Sequence, residues 1–275
     1  MTTEATLSPA LRSVLLNGLA LAPAGANVVM QLAQLPVGRG VAESRVDAGA
    51  LIKHPIKRTR TTLGYIVAVL LGDDEMREYI RREVNRQHRE VHSREGDDVA
   101  YNAFDPDLQL WVAACMYRGS LDAIELVSAD ASDDLLDELY LHCARFATTL
   151  QVPADRWPPD RDAFDEYWSE ALGDVAMDDV TREYLRGMVR LRFLPAILNS
   201  WLGPFHEFIV TGFLPPVFRE QLGLSWSPQR ERGFDALSRV SAAVHHVLPR
   251  ALREFPLNLV WWDTQRRYRA GRTFV

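Results

Sequence analysis

The sequence predicts an all-α protein, and three observations support that fold class. Apolar residues recur at three- and four-residue spacing in one segment after another, as they do on the buried face of a helix. The strict apolar–polar alternation of half-buried β-strands is nearly absent. Residues typical of helix starts and helix ends separate the periodic segments, which gives about ten helices.

The N-terminal half contains four segments with helical periodicity. Gly72 is typical of a helix C-terminus, and the acidic pair Asp73-Asp74 suits the start of the next helix. The Gly-containing stretch 36–40 (PVGRG) is predicted as a loop, and residues 41–56 favour no single assignment. The four helices are predicted at 7–21, 27–35, 57–71 and 73–93.

The C-terminal half begins with a clear start signal, because Asp105 can cap a helix and Pro106 suits its first position. The helix that follows extends to about residue 127, either unbroken or interrupted at Gly119. Ser227-Pro228 repeats the same start signal. The remaining helices are predicted at 132–150, 162–173, 178–193, 199–214 and 227–253, followed by an aromatic and basic segment at 258–269.

The 275 residues, of which 47% are hydrophobic, suit one large or two small domains. We expect a single helical domain over residues 1–275, and a subdomain boundary would fall near 153–161, where RWPPDR breaks the helical pattern.

The net charge of −6 argues against a dedicated nucleic-acid binder. No apolar run reaches the ~18 residues of a membrane span, and the N-terminus lacks the basic start of a signal peptide. Two cysteines are too few for a disulfide framework. The expected location is the cytoplasm.

One candidate binding segment is KHPIKRTRTTLGYI, residues 53–66. Arg58, Thr62 and Tyr65 recur at i, i+4 and i+7, so they share one face of the predicted helix. An arginine and a threonine one turn apart can bind an anionic or polar ligand through charge-assisted hydrogen bonds. A solvated basic helix start is the alternative interpretation.

A second candidate is VNRQHREVHS, residues 84–93. His88 and His92 are four residues apart, a spacing that places both on one helix face and suits a metal ion. A single imidazole could instead be the axial ligand of a haem iron. The remaining alternative is a pair of surface histidines on a highly charged helix.

The apolar and aromatic residues after position 190 form a third candidate. Phe193, Trp201, Phe205, Phe208 and Phe213 could line an apolar pocket or tunnel, and an ordinary hydrophobic core would show the same pattern.

Taken in order, these motifs resemble one known family. R-x-x-x-T-x-x-Y is followed by a helix that carries a histidine, then by YNAFDPDLQLWV (101–112), and later by GFLPPVFREQLGL (212–224). This order resembles the rubber oxygenases (latex-clearing proteins) and the MpaB-like oxygenases, and the similarity extends from about residue 31 to residue 256.

The resemblance implies a helical protein with a globin-like core that holds haem b. By motif position, His88 is the expected iron ligand, and Arg58 and Thr62 match the Arg-x-x-x-Thr pair that lies near the haem in rubber oxygenases. Tyr65 is a further expected member of the pocket, and Glu43 is the nearest counterpart of the family's upstream acidic base. Gly64 would let a flat macrocycle approach the helix backbone.

The resemblance also implies the activity, that of a haem b-dependent oxygenase using dioxygen on a small hydrophobic substrate. Isoprenoid chains are one candidate, because characterised members oxidise their double bonds. Two alternatives stay open: a haem-binding sensor or redox protein without oxygenase turnover, and a cofactor-free helical binding protein on the same scaffold.

Overall fold

The computed structural model describes residues 7–43, 55–128 and 131–274. Within these ranges there are fourteen α-helices and no β-strand, which confirms the all-α prediction. The helices are α1 (Pro9–Leu15), α2 (Ala24–Leu32), α3 (Leu35–Ala42), α4 (Pro55–Leu71), α5 (Asp74–His88), α6 (Pro106–Val127), α7 (Asp133–Thr148), α8 (Arg161–Ala171), α9 (Asp179–Val189), α10 (Ala196–Phe213), α11 (Pro216–Leu222), α12 (Pro228–Val247), α13 (Arg250–Arg253) and α14 (Leu257–Arg269).

Side-chain caps start many of these helices. Asp73 accepts a hydrogen bond from the Met76 backbone N–H at 2.9 Å, which begins α5, and Asp105 accepts one from Asp107 N–H at 2.8 Å, which begins α6. A cap of this kind stabilises a helix by about 1 kcal/mol. Both starts are where the sequence predicts them.

The hydrophobic core is built around α6, which packs against α2 and α7. Trp111 on α6 is fully buried and stacks on Trp168 of α8, with ring centroids 5.3 Å apart. Its indole N–H donates to the Gln31 carbonyl at 3.0 Å, so burial does not leave the Trp111 donor unpaired. The same core includes residues before and after segment 153–161, and Trp157 within that segment is buried in it.

Several predicted helix boundaries are wrong. Residues 36–40 are not a loop but part of α3, where Gly38 packs against Thr181 and Gly40 against Tyr101 so closely that a Cβ would press on each neighbour. The small glycines there serve helix packing rather than a turn. α6 continues unbroken through Gly119, and α12 ends at Val247 rather than near residue 253, because Pro249 follows.

No single helix in the described ranges is long and apolar enough to cross a membrane. One bent pair, Pro9–Leu15 with Gly18–Leu32, meets the length and composition requirements together, with a bend of 48°.

Candidate functional site

Arg58 lies in the first turn of α4, and its surroundings are unusual for an arginine. The side chain is accessible to solvent, yet desolvation by the surrounding protein lowers its pKa. Nearby protein atoms therefore reduce the hydration of this guanidinium without covering it. Among the residues that the structure describes, no carboxylate pairs with it, so an anionic ligand could compensate its charge.

His88 is the last residue of α5 and lies close enough to Arg58 for the two to interact electrostatically. Desolvation, followed by the positive charge of Arg58, lowers the pKa of its imidazole to about 4. The ring is therefore neutral at physiological pH. Its Nδ1 atom is buried and makes no hydrogen bond. A buried ring nitrogen without a partner is costly unless a ligand satisfies it.

Two aromatic residues complete the surroundings of this pair. The edge of Phe104 meets the His88 ring, with centroids 6.1 Å apart and ring planes at 84°. Tyr184 of α9 is partly buried, and burial raises the pKa of its hydroxyl while the nearby charge of Arg58 opposes the rise. Helices α4, α5 and α9 and the loop before α6 therefore meet around one cationic and one neutral basic group.

The other predicted pocket residues on α4 differ in the contacts that they make. Thr62 lies one turn after Arg58 and is half-buried. Tyr65 is half-buried, and its hydroxyl donates to the Phe146 carbonyl at 3.0 Å while its ring stacks on Phe146. Burial raises the pKa of Tyr65. Tyr65 thus joins α4 to α7.

Glu43 follows the last residue of α3 and is exposed. Its carboxylate pairs with Arg39, which also pairs with Asp178 at the start of α9. Glu43 is thus a partner of Arg39 in the structure, and its role as a base stays a prediction.

Gly64 does not face a ligand space. A Cβ atom at this position would collide with the ring of Phe274 and approach the hydroxyl of Thr264 on α14 to 3.3 Å. The expectation that Gly64 lets a macrocycle approach α4 is therefore wrong, and the glycine instead lets the C-terminal segment pack against α4.

His88 and His92 are not on one helix face, because α5 ends at His88. His92 lies beyond the helix, is exposed, and forms the isolated bridge with Asn102. In the described ranges no group of three His, Cys, Asp or Glu side chains could hold a metal ion. The i, i+4 metal pair is therefore wrong, and an axial role for His88 alone stays a prediction.

Sequence reasoning missed Tyr184. It lies far from Arg58 in the chain, and only the packing of α9 near α4 brings the two together. No local motif marks it. The aromatic residues after position 190 do not share one environment. Trp201 and Phe205 are exposed, whereas Phe208 and Phe213 both contact Phe234.

The arrangement around Arg58 offers two chemical capacities. The imidazole of His88 has an unpaired nitrogen and is neutral, the state in which histidine coordinates a transition metal. The guanidinium of Arg58 pairs with no carboxylate in the part of the chain that the structure describes, and it can bind a ligand carboxylate in a bidentate manner.

Comparisons with known proteins add to this geometry. The sequence matches the family described as ER-bound oxygenase mpaB/B'/rubber oxygenase, catalytic domain, over residues 11–243. The uncharacterised proteins Mb2261 of Mycobacterium bovis and Rv2237 of Mycobacterium tuberculosis are each 46% identical to it over 250 residues, which is 91% of this chain and 98% of each relative. No solved structure matches significantly, so the globin-like core stays a prediction. The family match covers most of the sequence, and the chain therefore belongs to the MpaB and rubber oxygenase catalytic-domain family.

Proposed function

We propose that this protein is a haem b-dependent oxygenase that uses dioxygen on a small hydrophobic substrate. The observation that carries the proposal is the neutral imidazole of His88, whose Nδ1 has no hydrogen-bond partner, beside Arg58, which pairs with no carboxylate of the described residues, in a member of an oxygenase family. Haem-dependent rubber oxygenases in that family support the choice of cofactor.

The residues present fit haem in two respects. The Nδ1 atom of His88 makes no hydrogen bond, which supports a role for this imidazole as the iron ligand. Arg58 is desolvated and has no carboxylate partner among the residues that the structure describes, which suits a haem propionate. When bound, haem supplies the iron-centred activation of dioxygen.

The chain's own residues would hold and shield that group. His88, neutral well below pH 6, offers its lone pair to the iron over a wide pH range. Thr62 places a hydroxyl one turn from Arg58, where it can donate a hydrogen bond within the pocket. Phe104 packs its edge against the His88 ring, and Tyr184 lies near Arg58.

The test is the absorption spectrum of the protein expressed with ample haem supply, before and after dithionite and carbon monoxide. We expect a Soret band that shifts with carbon monoxide, because an oxygenase needs an exchangeable position on the iron. His88→Ala should lower the haem content roughly tenfold or more while helicity is retained, since an axial ligand is lost.

His92→Ala is the matched control, because this exposed histidine lies outside α5. It should retain haem. Undiminished haem in His88→Ala would contradict the role of His88. A Soret band that carbon monoxide does not shift would favour a sensor or redox protein, and no band in the folded protein would favour a cofactor-free binding protein.

A further inference from the structure

The C-terminal segment, residues 250–272, carries a charge opposite to that of the whole chain. It contains six arginines against two carboxylates, a formal charge of +4, whereas the chain totals −6. It also lies beyond the family match at 11–243. A concentration of positive charge outside the matched catalytic-domain region of an acidic protein indicates a separate role.

Helix α14 has two distinct faces. Its inner face packs on α4, where Leu257 joins a core cluster with Val67. On the outer face, Leu259, Trp262, Arg266 and Arg269 follow one another at spacings of three, four and three residues. Leu259 is 55% exposed and Trp262 is 59% exposed. The helix thus presents large apolar side chains and arginines side by side to solvent.

The exposed apolar surface continues before α14. Leu252 on α13 and Phe255 in the connection to α14 are also more than half exposed. We call these two residues, together with Leu259, Trp262, Arg266 and Arg269, the C-terminal outer face. Four large apolar side chains within eleven residues are more than the scattered exposure normal for a protein surface.

The arginines and the tryptophan form a cleft in this face. The Arg266 guanidinium lies 5.1 Å from the centroid of the Trp262 ring. Trp262, Arg266 and Arg269 line a cleft of about 310 Å³ together with Gln265 and Ala270. Asp263 pairs with Arg266 at 3.1 Å but also with Arg267 at 2.7 Å, so one carboxylate is shared between two cations. In the described part of the chain no carboxylate pairs with Arg269.

We propose that the C-terminal outer face binds an anionic membrane surface. Its aromatic and aliphatic side chains would enter the interfacial region, and Arg266 and Arg269 would bind lipid phosphates. Charge complementarity favours this partner over a second copy, because pairing two copies through this face would bring like charges together. The inference does not depend on the proposed haem chemistry.

The experiment is co-sedimentation of the full chain with two kinds of vesicle. One kind contains phosphatidylglycerol and phosphatidylcholine in equal parts, and the other contains phosphatidylcholine alone. We expect binding to the anionic vesicles only, weakened by added salt. Because each interfacial arginine contributes about fivefold to such binding, Arg266→Gln with Arg269→Gln should weaken it by at least about tenfold. Trp262→Ala should weaken it as well.

Matched controls use exposed residues elsewhere. Arg94→Gln with Arg232→Gln removes the same charge at other sites, and Trp201→Ala removes a tryptophan that is 80% exposed on α10. Both should bind as the unchanged protein does. No binding to anionic vesicles, or equal losses in the control and test arginine pairs, would overturn the proposal. A loss of vesicle binding in Trp201→Ala but not in Trp262→Ala would also overturn it. So would the absence of vesicle binding together with a dimer, detected by light scattering, that Trp262→Ala dissociates.

Discussion

Burial shifts the pKa values of individual side chains in this molecule, and Asp122 on α6 is one example. Desolvation raises the pKa of its carboxyl to about 7, with Arg118 opposing the rise. The native state therefore binds more protons than the unfolded state between about pH 4 and pH 7, and stability falls as the pH rises through that window.

Asp122→Asn should therefore stabilise the protein at pH 8. The expected gain in the free energy of unfolding is roughly 1–3 kcal/mol, reduced from the full shift because the side chain is partly accessible. The gain should shrink as the pH falls towards 4. Urea unfolding at both pH values measures it, with the exposed Asp98→Asn as a control that should change little. A gain that is equal at both pH values would contradict the desolvation argument.

The candidate site could be predicted from the sequence only in part. Arg58, Thr62 and His88 carry motif signals that single them out, and the structure brings Arg58 and His88 together. Tyr184 carries none, because its place beside Arg58 depends on how α9 packs. Glu43 is predicted only from its position upstream of Arg58. Its ion pair with Arg39, which also pairs with Asp178, is seen only in the structure.

At the scale of helices, two glycines inside helices have the same low helix propensity but different packing surroundings. Gly119 lies inside α6 where it meets α2, and a Cβ there would collide with the side chain of Asn27. That side chain also donates to the Cys115 carbonyl. Gly187 lies inside α9 with open space around the position of its Cβ. A propensity scale treats both glycines alike.

The two alanine variants should therefore differ in sign. Gly187→Ala should stabilise the protein by about 0.5–1 kcal/mol, because alanine restricts the unfolded chain and favours the helix. Gly119→Ala gains the same propensity, but its methyl group must displace the Asn27 side chain from its hydrogen bond to the Cys115 carbonyl, and overpacking of this kind costs about 1–3 kcal/mol. Thermal or urea unfolding of both variants decides the matter. Equal stabilisation by both would contradict the close packing of the Asn27 side chain against Gly119.

The predicted helix boundaries are wrong where tertiary contacts override local sequence signals. Starts marked by Asp73 and Asp105 are correct, because a cap is a local interaction. The segment 36–40 contains a proline and two glycines, yet it is helical: the proline stands in the first turn of α3, where it is tolerated, and the glycines admit Thr181 and Tyr101. The end of α5 at His88 has no glycine or proline to mark it.

At the scale of the whole molecule, the C-terminal segment supports the helix that carries the candidate site. Phe274 is buried against Gly64 of α4, and its backbone N–H donates to Glu83 of α5 at 2.8 Å. Tyr79 of α5 donates its hydroxyl to the Arg272 carbonyl. The last described residues thus join α4 and α5, the helices on which Arg58 and His88 lie.

Phe274→Ala should consequently affect both stability and the site. Truncating a buried phenylalanine costs about 3–5 kcal/mol in a closed core, and at this terminal position about 2–4 kcal/mol is expected. Because α4 and α5 lose a shared contact, haem retention should fall as well. Phe255→Ala is the control, since that ring is 55% exposed and should cost under about 1 kcal/mol. Urea unfolding and the Soret absorbance of the two variants give both readouts. If Phe274→Ala lowered stability but left haem retention unchanged, the C-terminal segment would support the fold without positioning Arg58 and His88.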